Sequence, residues 1–131
     1  ASGGGAYEKT YPGQSEEEQA CAWIEDLTGS QVPPHDMHEA LRTGVVLCAL
    51  INRIQPGSVR KVSNSDAPFP QRENLQGFCD ACRSLGVRDS DMFDPGDLFD
   101  ARNLRQVLLT IFALGRQCFN VPGYSGPCLG A

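Results

Sequence analysis

Two residue pairs in this chain have the type and spacing to do chemistry. Cys79-Asp80-Ala81-Cys82 is a C-x-x-C, the spacing of a dithiol that cycles with a disulfide. A redox pair of that kind normally opens a helix after a strand, where the helix dipole lowers one thiol pKa. Here the pair falls mid-helix on the apolar side, which reads as two small hydrophobic side chains in a core. His35-Asp36-Met37-His38 is an H-x-x-H, and with Cys79 and Cys82 it would supply a Cys2His2 zinc set. The spacing is not that of a zinc finger, and a chain that is 40% hydrophobic has core enough without metal. The histidines read instead as a pair in a polar loop near a helix cap.

No nucleophile elbow, H-E-x-x-H or P-loop is present. Asp94, Asp97 and Asp100 lack the spacing of an EF-hand and its distant Glu. No catalytic residue, metal or cofactor is expected, and the chain does not read as an enzyme. The six cysteines (Cys21, Cys48, Cys79, Cys82, Cys118 and Cys128) sit largely at helix core spacings. The start, Ala1 to Tyr11, has no basic-then-apolar signal pattern, so free thiols in a reducing, cytoplasmic setting are expected. No apolar run approaches the ~18 residues of a membrane span, so no membrane insertion is expected.

The net charge of −5 argues against a nucleic-acid binder, which needs a basic face to displace counterions. The distribution says more than the sum. From Arg42 to Arg72 stand five cations, Arg42, Arg53, Arg60, Lys61 and Arg72, against the single acid Asp66. Such a strip can steer an acidic partner, and Arg53, Arg60, Lys61 and Arg72 are the candidate partner-binding residues.

These residues must be positioned by helices. Ser15-Glu16-Glu17-Glu18 is a capping box, followed by Ala20, Trp23, Ile24 and Leu27 on one face. Trp23 is a core anchor, and Gly29 ends the helix. Asp36 starts a short helix that Gly44 breaks. Val46, Leu47, Leu50, Ile51 and Ile54 mark a central buried helix, stopped by Pro56-Gly57. Residues 58–70 read as a surface loop. A helix follows from about Gln71 to Leu85, with Leu75, Phe78, Cys79 and Cys82 inward. A second short helix is expected near Ser90 to Phe93, with a turn at Asp94-Pro95-Gly96-Asp97. The last helix is expected from Ala101 to Cys118, capped or braced by Asp97 and Asp100. Asn74 and Asn103 are expected to brace backbone. No strand-like alternation competes. The chain thus reads as all-α, four main helices plus two short ones. It divides into a flexible N-terminal segment (1–14), one domain (15–118) and a tail (119–131).

Three stretches then resemble a known family. They are Trp23-Ile24-Glu25, the block Leu41 to Val59 with its Gly44-Val45, Leu47-Cys48, Leu50-Ile51-Asn52 and Pro56-Gly57-Ser58-Val59, and the set Glu73-Asn74-Leu75, Phe78, Leu85-Gly86-Val87, Phe93, Asp97-Leu98-Phe99, Asn103 and Val107. Over residues 15–118 the chain resembles a single calponin-homology domain of the calponin, transgelin and LIM-and-calponin-homology type. The resemblance implies the calponin-homology fold and assigns Trp23, Leu47, Leu50, Asn74, Asp97, Leu98 and Val107 to its scaffold. It also implies a cytoskeletal binding or adaptor role. Tandem pairs of such domains bind actin filaments, and a single one binds weakly or docks elsewhere. F-actin or actin-associated proteins are the expected partners of a monomer, reached directly or through a larger protein. The alternative is an adaptor for a signalling protein or microtubules without actin contact. A third reading, a cysteine-based redox or zinc protein, rests on the two pairs above.

Overall fold

The computed structural model describes residues 5–11 and 15–129. The rest of the Gly-rich start, residues 12–14 and the last two residues lie outside the described residues.

Helix α1 (Glu16–Thr28) opens on the capping box: the Glu18 amide donates to Ser15 Oγ and the Ser15 amide to Glu18 Oε1. Gly29 closes it at a φ of 75°, donating its amide to the Glu25 carbonyl. A 3-10 turn (Pro34–Asp36) leads into the short α2 (Met37–Leu41) and then α3 (Val45–Ile54). Helix α3 packs against α1, α2 and the next helix, α4 (Pro68–Ser84). Its Leu47, Cys48, Leu50 and Ile51 are fully buried, which makes it the central helix of an all-α fold. Short α5 (Pro95–Phe99) and long α6 (Leu104–Gln117) bring the described residues to four main and two short helices.

Three boundaries differ from expectation. Helix α4 begins at Pro68, not Gln71: Pro68 and Pro70 lie in its first turn, where the missing amides have no helical acceptor to lose. The second short helix is Pro95–Phe99; Asp89–Asp91 is only a single 3-10 turn. Pro95 starts that helix and Asp97 reaches back to the Asp94 amide at 3.0 Å, so the expected turn chemistry is helix-starting chemistry. Helix α6 begins at Leu104, after Ala101 at a φ of 54°, and its cap is Asn103, which accepts from the Gln106 amide. Asp97 and Asp100 therefore do not cap it.

The first and last described segments of the chain meet in the fold. Tyr7–Lys9 (β1) pairs in parallel with Pro127–Leu129 (β2), Glu8 opposite Cys128. Three residues per strand are too few to show alternation in sequence. The clasp is anchored from the core: Trp23 Nε1 donates to the Pro127 carbonyl at 2.9 Å, and Tyr124 donates to the same oxygen at 2.6 Å. Gly115 of α6 admits the strand, since a Cβ there would stand 2.3 Å from that of Leu129. On the other side, Lys9 Nζ and the Tyr11 hydroxyl both donate to Asp26 Oδ2 at 2.6 Å.

Burial works against the Asp26 carboxylate, but the hydrogen bonds from Lys9 and Tyr11 outweigh it and hold its pKa below the ordinary 3.8. A depressed folded pKa stabilises above the unfolded value and is lost as pH falls through the folded one. The melting temperature of Asp26→Asn should therefore lie below wild type at neutral pH. That gap should narrow as the pH falls through and below 3.8. A gap constant across that range would exclude the carboxylate as the clasp's anchor.

Candidate binding groove

An open groove of about 1050 Å³ runs along α4. One wall is the outer face of α4, including Phe69, Arg72, Glu73 and Gln76; the other is the segment from Val59 to Ser63. That segment has no helix or strand to hold it. Two asparagines do so instead. Asn52 of α3 donates Nδ2 to the Val59 carbonyl at 3.0 Å and accepts the Val59 amide on Oδ1 at 2.8 Å. Asn74 of α4, only 3% exposed, treats Ser63 the same way, at 2.8 and 2.9 Å. Its second Nδ2 hydrogen goes to the Thr43 carbonyl at 2.9 Å. Each amide side chain thus satisfies both backbone groups of one residue, and the two clamped residues bracket Arg60 and Lys61.

Arg60 and Lys61 are exposed, and neither has an ion-pair partner among the described residues. Arg72 differs: Nη2 lies 2.9 Å from Asp100 Oδ2, and its guanidinium stacks 4.6 Å from the Phe99 ring centroid. Arg42 stacks on the same ring at 4.5 Å. Arg53 is exposed on α3 and lines no part of the groove; its charge acts on Tyr124 instead. Of the four cations singled out in the sequence, three therefore share one groove and two of those are free. Sequence reasoning missed Phe69, a 70% exposed residue of the α4 wall, and the clamp Asn52. A Phe between two prolines in a polar loop was the available signal for the first.

The sequence's scaffold residues lie inside or under this arrangement. Trp23, Leu47, Leu50, Leu98 and Val107 are fully buried, and the Asp97 carbonyl accepts the Asn103 amide.

The two chemical pairs stay apart. His35 and His38 line a separate pocket of about 300 Å³, where His38 Nε2 donates to the Phe99 carbonyl at 3.1 Å. Cys79 and Cys82 are in the core, Cys79 Sγ donating to the Phe93 carbonyl. The Cys2His2 set does not assemble, and among the described residues no three metal-binding side chains converge. Burial pushes the Cys79 thiol up to about 12 and Cys82 well above its ordinary value. A thiol so shifted stays protonated at neutral pH and is a poor nucleophile.

A buried helical scaffold that holds a fixed cationic rim is the build of a binding module. The profile of the calponin homology (CH) domain matches residues 14–119, and the chain belongs to that family. Myophilin of Echinococcus granulosus is 42% identical over 119 residues, 89% of this chain and 63% of that protein. LIM and calponin homology domains-containing protein 1 of Xenopus laevis is 34% identical, over 88% of this chain and 12% of that protein. The chain thus spans less than two thirds of either relative. The calponin-homology domain of Rng2 from Schizosaccharomyces pombe has the same fold, with a TM-score of 0.72 at 27% identity over 88% of this chain and 74% of that one.

A thiol-specific reagent at neutral pH should modify the native chain slowly at all six cysteines and rapidly once denaturant is added. Fast native labelling of Cys79 or Cys82 would restore the dithiol reading.

Proposed function

We propose that this chain is a non-enzymatic cytoskeletal module that associates with actin filaments, directly and weakly or within a larger protein. Arg60 and Lys61 supply the contact. The observation that carries the reading is the pair of unpaired cations, fixed by the Asn52 and Asn74 clamps at the rim of an open groove. Family membership supports the actin assignment through the resemblance drawn above. The filament surface is acidic, so a cationic rim raises the association rate and sets the register of docking. Preorganisation adds to this, because a clamped loop loses little conformational freedom on binding.

The non-enzymatic part has its own support. The buried polar side chains Gln71, Asn74 and Thr110 are spent on backbone carbonyls: Gln71 on Ser65, Asn74 on Thr43 and Ser63, Thr110 on Asp91. Six free buried thiols suit a cytoplasmic setting. No helix of the described residues is long and apolar enough to cross a membrane.

A second reading draws on Phe69. An exposed aromatic in the wall of a groove with a basic rim also suits an acidic segment of a signalling protein that carries one apolar anchor.

Co-sedimentation with actin filaments at low and physiological salt separates the readings. Wild-type chain should pellet, more at low salt. The double variant Arg60→Glu, Lys61→Glu should pellet about tenfold less and with a flatter salt dependence. Pelleting unchanged by the double reversal would remove the rim as the contact. No wild-type pelleting at either salt would remove direct filament binding and leave the second reading.

A further inference from the structure

The clamped loop carries a hydroxyl that the binding role does not use. Ser63 follows Arg60 and Lys61 by three and two positions. Of the thirteen serines and threonines in the chain it alone has a cation at both of those places. Protein kinases choose substrates largely by charge pattern, and those with acidic substrate clefts take cations just before the acceptor. The structure meets the other requirements. Residues 61–65 form no helix or strand, and Arg60, Lys61 and Asn64 are exposed. Ser63 itself is half-buried, and Asn74 holds its backbone amide and carbonyl while leaving the hydroxyl untouched. Its Oγ accepts only the Ser65 amide at 3.1 Å, and the hydroxyl hydrogen has no acceptor among the described residues. The neighbouring hydroxyls are committed or differently flanked. Ser58 donates to the Gln55 carbonyl at 2.6 Å, and Thr110 is fully buried. Ser65 accepts the Ala67 amide and has no cation two or three residues before it.

We infer that Ser63 is a phosphorylation site for a basic-directed serine/threonine kinase, and that the modification switches off the cationic rim. The γ-phosphoryl group of ATP moves to Ser63 Oγ. The Oγ–P bond forms, the bond from the γ-phosphorus to the bridging oxygen of the departing ADP breaks, and the hydroxyl proton passes to the kinase's catalytic base. The product carries about −1.5 to −2 charges at neutral pH, enough to cancel Arg60 and Lys61 together. Arg60 and Lys61 stand three and two residues before the phosphate and carry no ion pair among the described residues, so charge-assisted hydrogen bonds to it are open to both. The Asn74 clamp uses only backbone groups of Ser63 and remains in place, so the fold is kept while the rim is lost.

The second half rests on the actin reading; the first half does not. The test treats the whole chain with the catalytic subunit of an arginine-directed kinase and Mg-ATP, and locates phosphate by fragmentation mass spectrometry. Phosphate should appear on Ser63, vanish in Ser63→Ala, and enter about tenfold more slowly in Arg60→Ala, Lys61→Ala. Far-UV circular dichroism checks that the variants fold; if Ser63→Ala does not, the wild-type fragment spectrum still assigns the site. Phosphate on another hydroxyl, or none while a control peptide is labelled, overturns the proposal. Labelling of Ser63 together with reduced filament pelleting supports both halves. Labelling with pelleting unchanged overturns the switch. Labelling of a chain that never pellets supports the site and removes the actin reading alone.

Discussion

One side chain ties the two levels of this structure together. Asn74 points inward from α4 and spends its amide on two distant backbone positions, Thr43 before α3 and Ser63 in the groove wall. The geometry demands a very close approach of α4 to the start of α3. Gly44 makes that approach possible: it sits at a φ of 82°, and a Cβ there would stand 2.5 Å from the Asn74 Cβ. Cys48 then closes the joint by donating its thiol to the Asn74 carbonyl. Each buried amide group left without a partner would cost about 1–3 kcal/mol, so the network is stable only when complete. A single polar residue therefore sets the distance between the central helices and the path of a loop that has no secondary structure of its own.

The functional consequence is a separation of duties among cations. Arg72 and Arg42 are folded into the molecule, stacked on Phe99, with Arg72 also paired to Asp100. Arg60 and Lys61 have no such engagement and project from a backbone fixed at Val59 and Ser63. An exposed ion pair is worth little in stability, but an unpaired exposed cation keeps its field for a partner. The same fixed backbone carries the Ser63 hydroxyl two residues after Lys61, so the proposed contact and its proposed control share one loop.

Much of the scaffold was legible because its signals are local. The Ser15 and Glu18 pair announces α1, and the spacing of Leu47, Leu50, Ile51 and Ile54 announces α3. Where a local signal has two meanings, the reading slipped. Pro68 and Pro70 look like helix breakers but are tolerated in a first turn, and Asp94-Pro95-Gly96-Asp97 looks like a turn but starts a helix. What depends on distant pairing was not legible. The parallel match of Tyr7–Lys9 with Pro127–Leu129 joins the two ends of the chain through strands too short to show a pattern. The groove was half visible. Counting charges along the chain found Arg60 and Lys61, yet it gave Arg53 the same weight, because linear charge carries no information about which way a helix position faces.

The clamps at Val59 and Ser63 fix the cationic loop, and amide hydrogen exchange of the native chain reads them directly. The Val59 and Ser63 amides, donating to Asn52 and Asn74, should exchange as slowly as amides within α4, while those of Arg60 and Lys61 exchange at the rate of open loop. Rapid exchange at Ser63, level with its neighbours, would contradict the account, for the rim would then have no fixed backbone beneath it.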